Sequence, residues 1–315
     1  MLKARKVLIS AIALSLLATT GIQTSNAAPK NLSRAVAQPD WLEQNIDNPK
    51  VRIVEVSTEP GIYERGHIKN AAKIVWHTDL VDTVNRDIAS AKNFQKLAQK
   101  LGINQDTTVV LYGDKNNWFA AWGAWLFNIY GAKDVRILDG GRVKWEKDGR
   151  ALTTAVPTFK QGNFTTRVAD KSLRASLLQD VLPVAKKRVK ADLIDIRSAD
   201  EYSGKIFAPA GFQELAVRAG HIPGAINVPW GQNVNADGTF KSVAELKKLY
   251  ADKGVDGKQN IITYCRIGER SSLTWFVLSE ILGYNVKNYD GSWTEYGNTV
   301  GVPISNPAGT VWGNS

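Results

Sequence analysis

Short runs of β-branched and aromatic residues punctuate the chain, and they fall into two matching sets. Ile53-Val54-Glu55-Val56 and Val109-Val110-Leu111-Tyr112 are answered downstream by Leu193-Ile194-Asp195-Ile196 and Ile261-Ile262-Thr263-Tyr264. Each run is too short for a helix and suits a pleated, buried surface, so each reads as a strand. Other stretches carry apolar residues at helical spacing. After Ser272 these are Leu273, Phe276, Val277, Leu278, Ile281 and Leu282, with Gly283 as the expected stop. Short strands alternating with helical segments predict an α/β architecture built on parallel sheets.

The two sets extend to the turns. Gly66-His67-Ile68 and Leu138-Asp139-Gly140-Gly141 in the first copy match Gly220-His221-Ile222-Pro223-Gly224-Ala225 and Tyr289-Asp290-Gly291 in the second, in the same order and at similar spacing. The chain is therefore an internal repeat of two domains of ordinary size. The expected bounds are 38–152 and 173–305. The polar stretch 153–172, with Pro157, Gly162 and several threonines, reads as the linker. Before the first domain, Lys3, Arg5 and Lys6 precede an apolar run from Val7 to Leu17 and the small-residue site Ser25-Asn26-Ala27. This pattern predicts a secretory signal peptide over 1–27 and a periplasmic or secreted protein without a membrane anchor.

Charge adds little to this picture. The formal net charge is +10, and loss of Lys3, Arg5 and Lys6 with the signal would leave +7. Acidic and basic residues are mixed throughout, so the basic stripe of a nucleic-acid binder is missing and no nucleic-acid partner is expected. Cysteine usage adds more. The chain has one cysteine, Cys265, which excludes an internal disulfide, a CxxC pair and a cysteine-rich zinc site. A lone thiol in an oxidising compartment risks over-oxidation, so its presence points to chemistry.

Cys265 sits where a strand gives way to a helix, in Cys265-Arg266-Ile267-Gly268-Glu269-Arg270-Ser271-Ser272. An unperturbed cysteine is only about 3% ionised at neutral pH. Helix N-terminal N–H groups, a curled loop and the charges of Arg266 and Arg270 all favour the thiolate, and the same groups favour an anionic substrate. Cys265 is thus the expected nucleophile.

This loop, together with Tyr289-Asp290-Gly291-Ser292-Trp293 and the repeat, resembles the active site and organisation of a rhodanese, closest to the bacterial tandem-domain thiosulfate sulfurtransferases. The resemblance implies two tandem rhodanese-like domains, each a parallel sheet flanked by helices. It also implies a persulfide on Cys265, cradled by the loop residues Arg266, Ile267, Gly268, Glu269 and Arg270. Arg197 matches the family's substrate-binding arginine, and Asp195 would orient loop donors or Arg266. The donor would be a small anion such as thiosulfate and the acceptor a thiophile. No metal or organic cofactor is needed, and a monomer is expected.

The first copy would be inactive, because either Gly113 or Asp114 takes the place of Cys265, depending on a one-residue gap. Trp118, Trp122 and Trp125 read as helical core, with lining of the cleft as the alternative. His221 reads as structural, since Gly-His-Ile recurs in the copy without a nucleophile. Three rival readings are a 3-mercaptopyruvate sulfurtransferase, whose loop is small and nearly uncharged, a cysteine phosphatase, whose arginine would fall at Ser271, and a persulfide carrier with little turnover.

Overall fold

Eleven short strands and the helices between them form the architecture of the computed structural model, which describes residues 34–213 and 215–313. The expected signal peptide lies outside the described residues. In chain order the strands are β1 (Val36–Ala37), β2 (Val51–Glu55), β3 (Ala72–Lys73), β4 (Val81–Asp82), β5 (Asp87–Ile88), β6 (Thr108–Tyr112), β7 (Asp134–Leu138), β8 (Asp192–Asp195), β9 (Ile226–Asn227), β10 (Ile261–Tyr264) and β11 (Val286–Asn288). The first half builds an all-parallel sheet in the order β1-β7-β6-β2-β3. The second builds an all-parallel sheet in the order β11-β10-β8-β9. In both, the strand before the key loop (β6, β10) lies between a later strand and the first long strand of its own half. The buried apolar runs read from the sequence are these central strands, covered on both faces by helices.

The halves share one core. The helix Trp118–Ile129 of the first packs on the helix Glu269–Phe276 of the second, and the largest apolar cluster runs through both sheets. The stretch expected as a linker lies along the first half as a strap. His67 and Thr153 exchange backbone hydrogen bonds at 2.8 Å, Phe164 buries its ring beside Phe94 and Phe127, and the Arg167 N–H donates to the Tyr130 carbonyl. Polar composition marked it as loop; its two phenylalanines, Phe159 and Phe164, anchor it. Among the described residues, no helix is long and apolar enough to cross a membrane, and no group of three or more His, Cys, Asp or Glu is placed to hold a metal ion.

Candidate active site

The repeat reproduces its supports in three dimensions, which fixes where the two copies differ. Tyr63 stacks on His67 at 3.8 Å in the first half, and Tyr202 stacks on His221 at 3.7 Å in the second. Each histidine meets the carbonyl of its stacking tyrosine through Nδ1. Burial pushes the His221 imidazole below its usual value, so it packs as a neutral ring. The hydroxyls of Tyr112 and Tyr264 both accept the N–H two residues after the repeated glycine, from Ile68 and Ile222.

Residue Gly113 directly follows β6 as Cys265 follows β10, and the next turns close on them alike. The Arg142 N–H donates to the Gly113 carbonyl at 3.1 Å, and the Trp293 N–H donates to the Cys265 carbonyl at 3.0 Å. Gly113, not Asp114, therefore occupies the place of the cysteine. A Cβ at Gly113 would stand 2.3 Å from the Val56 carbonyl oxygen. The first half lacks a nucleophile and has no room for one. Asp114 turns away to accept the N–H groups of Thr58 and Glu59.

Cys265 is fully buried at the carboxyl end of β10, the end where open parallel sheets place ligands. Its Sγ accepts the Gly268 N–H at 3.1 Å and donates toward Glu269 Oε2 at 3.4 Å. Its own N–H donates to Ser292 Oγ at 3.0 Å. Ser292 holds φ at +51°, a left-handed conformation unusual for a residue with a Cβ. The first copy has Gly141 there, with φ +56°. The second half thus accepts backbone strain at this point and gains a hydroxyl beneath the cysteine. Gly268 (φ +95°) starts the helix; a Cβ on it would lie 2.4 Å from Asp290 Oδ1. Its carbonyl accepts from Ser271 Oγ at 3.0 Å and Ser272 Oγ at 2.7 Å, which is why two serines follow the loop.

The electrostatics differ from the expectation. Burial pushes the Cys265 thiol up, and the Glu269 carboxylate adds to the rise; Arg270 and the Ser271 hydrogen bonds oppose them without winning. The resting residue is therefore a thiol. The cations and N–H groups visible in the sequence all favoured thiolate, but full burial and the adjacent carboxylate outweigh them.

The arginines are also redistributed. Arg197 is 1% exposed. Its guanidinium forks onto Asp195 at 3.0 and 2.6 Å, donates to the Gly220 carbonyl at 2.7 Å and lies over the Trp293 ring. Arg197 and Asp195 thus form a closed pair that fixes the end of β8, and neither lines the cavity over the loop. The first half solves the same problem with Arg142, which bonds Glu55 and the Gly66 carbonyl. Arg270 is also buried, with its terminal nitrogens on Glu201 at 3.3 and 3.2 Å. Arg266 is the loop cation that reaches open space. It donates to the Gln213 carbonyl, stacks over Phe212 at 5.4 Å, and among the described residues has no carboxylate partner.

A cavity of about 360 Å³ stands over these groups. Ser198, Glu201, Arg266, Glu269 and Arg270 form its polar side, and Trp118, Trp230 and Phe212 line its apolar side. Trp118 comes from the first half and meets Trp230 edge-on at 4.7 Å. Of the three tryptophans in that helix only Trp118 lines the cavity. Trp122 and Trp125 are fully buried. Phe212 belongs to an insertion that the repeat makes visible: Tyr202 and His221 stand 19 residues apart, whereas Tyr63 and His67 stand 4 apart.

The first half also grips the back of the loop. Arg86, held at φ +53° in the β4–β5 turn, donates to Asp290 at 2.9 Å and to the Ile267 carbonyl, and Trp122 Nε1 donates to Asp290 at 2.8 Å. Ile267 contributes its backbone here rather than its side chain.

Comparison with known proteins agrees with this arrangement. A family model for the rhodanese-like domain matches residues 38–148 and 180–299. A protein of Mycolicibacterium smegmatis named "Putative thiosulfate sulfurtransferase" is 52% identical over 274 residues, covering 86% of this chain and 98% of its own. A protein of Thermus thermophilus named sulfur carrier protein TtuD is 51% identical over 271 residues, covering 84% and 94%. A crystal structure of a 3-mercaptopyruvate sulfotransferase from Escherichia coli is similar with a TM-score of 0.70 at 28% identity, covering 82% of this chain and 98% of that one.

Proposed function

The chain belongs to the rhodanese-like family, and we propose that it is a thiosulfate sulfurtransferase working through a persulfide on Cys265. The observation that carries the reading is the single cysteine in contact with Glu269, which lines a cavity together with Arg266, Arg270 and Glu201. Thiosulfate is a dianion with an electrophilic outer sulfur. The Cys265 thiolate bonds to that sulfur, the bond to the sulfonate sulfur breaks, and sulfite leaves with the electron pair. A thiophilic acceptor then removes the outer sulfur and Cys265 returns. Arg266 steadies the charge of the donor and of the departing sulfite. No oxidant, reductant or cofactor enters the balance.

The names of the relatives at about half identity support the thiosulfate reading over mercaptopyruvate, as does the charge of the loop. A charge-assisted hydrogen bond is worth roughly 1.5–3 kcal/mol, or about 10- to 150-fold. Arg266→Ala is therefore expected to lower kcat/KM for thiosulfate by about that factor, while the wild type prefers thiosulfate to 3-mercaptopyruvate. A wild type faster on mercaptopyruvate would reverse the choice of donor. An unchanged kcat/KM in the variant would take Arg266 off the donor.

A carrier role is the second reading, favoured by the complete burial of Cys265, which would shelter a stored sulfur from solvent. Steady thiosulfate:cyanide turnover by the purified protein supports the enzyme; loading with sulfur in a single round without turnover supports the carrier.

Export of the protein rests on the pattern over residues 1–27. Material from the native host should begin at or near Ala28, and an intact Met1 on N-terminal sequencing would defeat this.

A further inference from the structure

We propose that Glu269 is the proton carrier of the Cys265 sulfur in both halves of the transfer. The inference rests on the sulfur-transfer reading above and adds to it a catalytic group.

Three observations lead to it. Glu269 is 4% exposed, and its Oε2 is the acceptor of the Cys265 S–H at 3.4 Å. The other polar contacts of Sγ do not take a proton: Gly268 and Ser271 present backbone N–H groups, and the hydroxyls of Ser271 and of Ser292, whose Oγ is 3.9 Å away, are donors, held also on the Gly268 and Tyr289 carbonyls. Second, Glu269 is not the principal ion-pair partner of its neighbour. The terminal nitrogens of Arg270 belong to Glu201, and only Nε faces Glu269, at 3.8 Å. Third, Glu269 lines the cavity over the loop, with Arg266, Arg270 and Glu201 as the other charged groups around it. One carboxylate thus touches both the buried sulfur and the cavity.

The proton balance closes on this group. Glu269 takes the S–H proton as Cys265 Sγ bonds to the outer sulfur of thiosulfate and sulfite leaves with the electron pair. Glu269 then delivers that proton to the outer sulfur of the new persulfide. In the second half an entering R–SH gives its proton to Glu269 and its sulfur bonds to the outer persulfide sulfur. The bond from that sulfur to Cys265 breaks, and the electron pair stays on Cys265 Sγ, which recovers the proton from Glu269. The products are R–S–SH and the resting thiol. Discharge to sulfite runs the loading step backwards, so it uses Glu269 as well. General-base catalysis typically contributes about 10²–10⁴-fold.

The test compares two acceptors on enzyme already loaded with sulfur. Wild type, Glu269→Gln and Glu269→Asp are loaded with thiosulfate, and uptake of one sulfur atom is verified by mass. Single-turnover discharge is then followed with dithiothreitol and, at mildly alkaline pH, with sulfite. The expected result for Glu269→Gln is a fall of about 10²-fold or more with both acceptors. Glu269→Asp, which keeps the carboxylate, should retain part of the dithiothreitol rate. The resting thiol is also titrated by iodoacetamide alkylation against pH, and the Gln profile should move to lower pH. Equal losses in Glu269→Gln and Glu269→Asp with an unmoved alkylation profile would reduce Glu269 to a positioning residue, and an undiminished dithiothreitol rate would remove it from the proton path. Failure of the wild type to take up sulfur would instead sink the sulfur-transfer reading, and the alkylation profile would still judge Glu269.

Discussion

Replacing Cys265 with Ser should abolish sulfur transfer and leave the fold almost unchanged. A hydroxyl oxygen cannot hold the transferred sulfur, because no persulfide equivalent forms on it. Serine nevertheless meets the same neighbours: it can accept the Gly268 N–H and donate to Glu269 as the thiol does. With both partners kept, the stability change should stay within about 1 kcal/mol. The first half cannot rescue activity, since Gly113 has no room for any side chain against the Val56 carbonyl. The measurements are sulfur uptake by mass, thiocyanate formation and urea denaturation. Thiocyanate formation by the Ser variant above a few per cent of wild type would remove Cys265 from the reaction.

The backbone plan was legible because parallel strands buried on both faces leave continuous runs of Ile, Val, Leu and Tyr. Two such sets in the same order reveal the repeat. The alignment of the loops was less legible. Whether Gly113 or Asp114 matched Cys265 depended on a gap, and only the turn closures by Arg142 and Trp293 decide it. The charged residues misled for one physical reason. A sequence shows a cation but not the carboxylate that faces it. Asp195 stands two positions from Arg197, yet only the fold shows their guanidinium–carboxylate fork sealed at the end of β8. Glu201 is 69 positions from Arg270. The same blindness applies to burial, which reverses the expected thiolate at Cys265. Some missed parts had left a signal. Counting from Tyr202 to His221 against Tyr63 to His67 exposes the insertion that carries Phe212, and Ser292 stands where the first copy has a glycine. Arg86 left none: it lies in a hairpin turn of the half without a nucleophile, and only the docking of the halves brings it to the loop.

Arg270 should prove more important for stability than for donor affinity. Arg270 and Glu201 are almost wholly buried and pair through two contacts, at 3.2 and 3.3 Å. Burial alone would raise the Glu201 carboxyl, but Arg270 reverses this and holds it below the usual carboxylate range. Arg270→Met keeps the aliphatic bulk and strands the carboxylate, and breaking a buried pair in this way costs about 3–5 kcal/mol. The pH dependence follows from the direction of the shift. In the wild type a depressed carboxyl contributes stability that is fully present above its unfolded value, near 4.3, and is lost as pH falls through the folded one. In Arg270→Met burial, the largest influence, is opposed only by Arg197 and the Ser198 N–H, so the folded value should rise above the unfolded one and the variant should weaken further as pH climbs toward neutrality. The gap between the two proteins should therefore be widest near neutral pH and narrow in acid. Glu201→Gln in the Met background removes the stranded charge and should recover part of the loss, and the double-mutant cycle isolates the pair. Urea denaturation of all four proteins at neutral and acid pH reads these differences, with kcat/KM for thiosulfate measured alongside. A neutral-pH cost below about 1 kcal/mol, joined to a large loss of thiosulfate affinity, would return Arg270 to the substrate and make Glu201 an accessory to it.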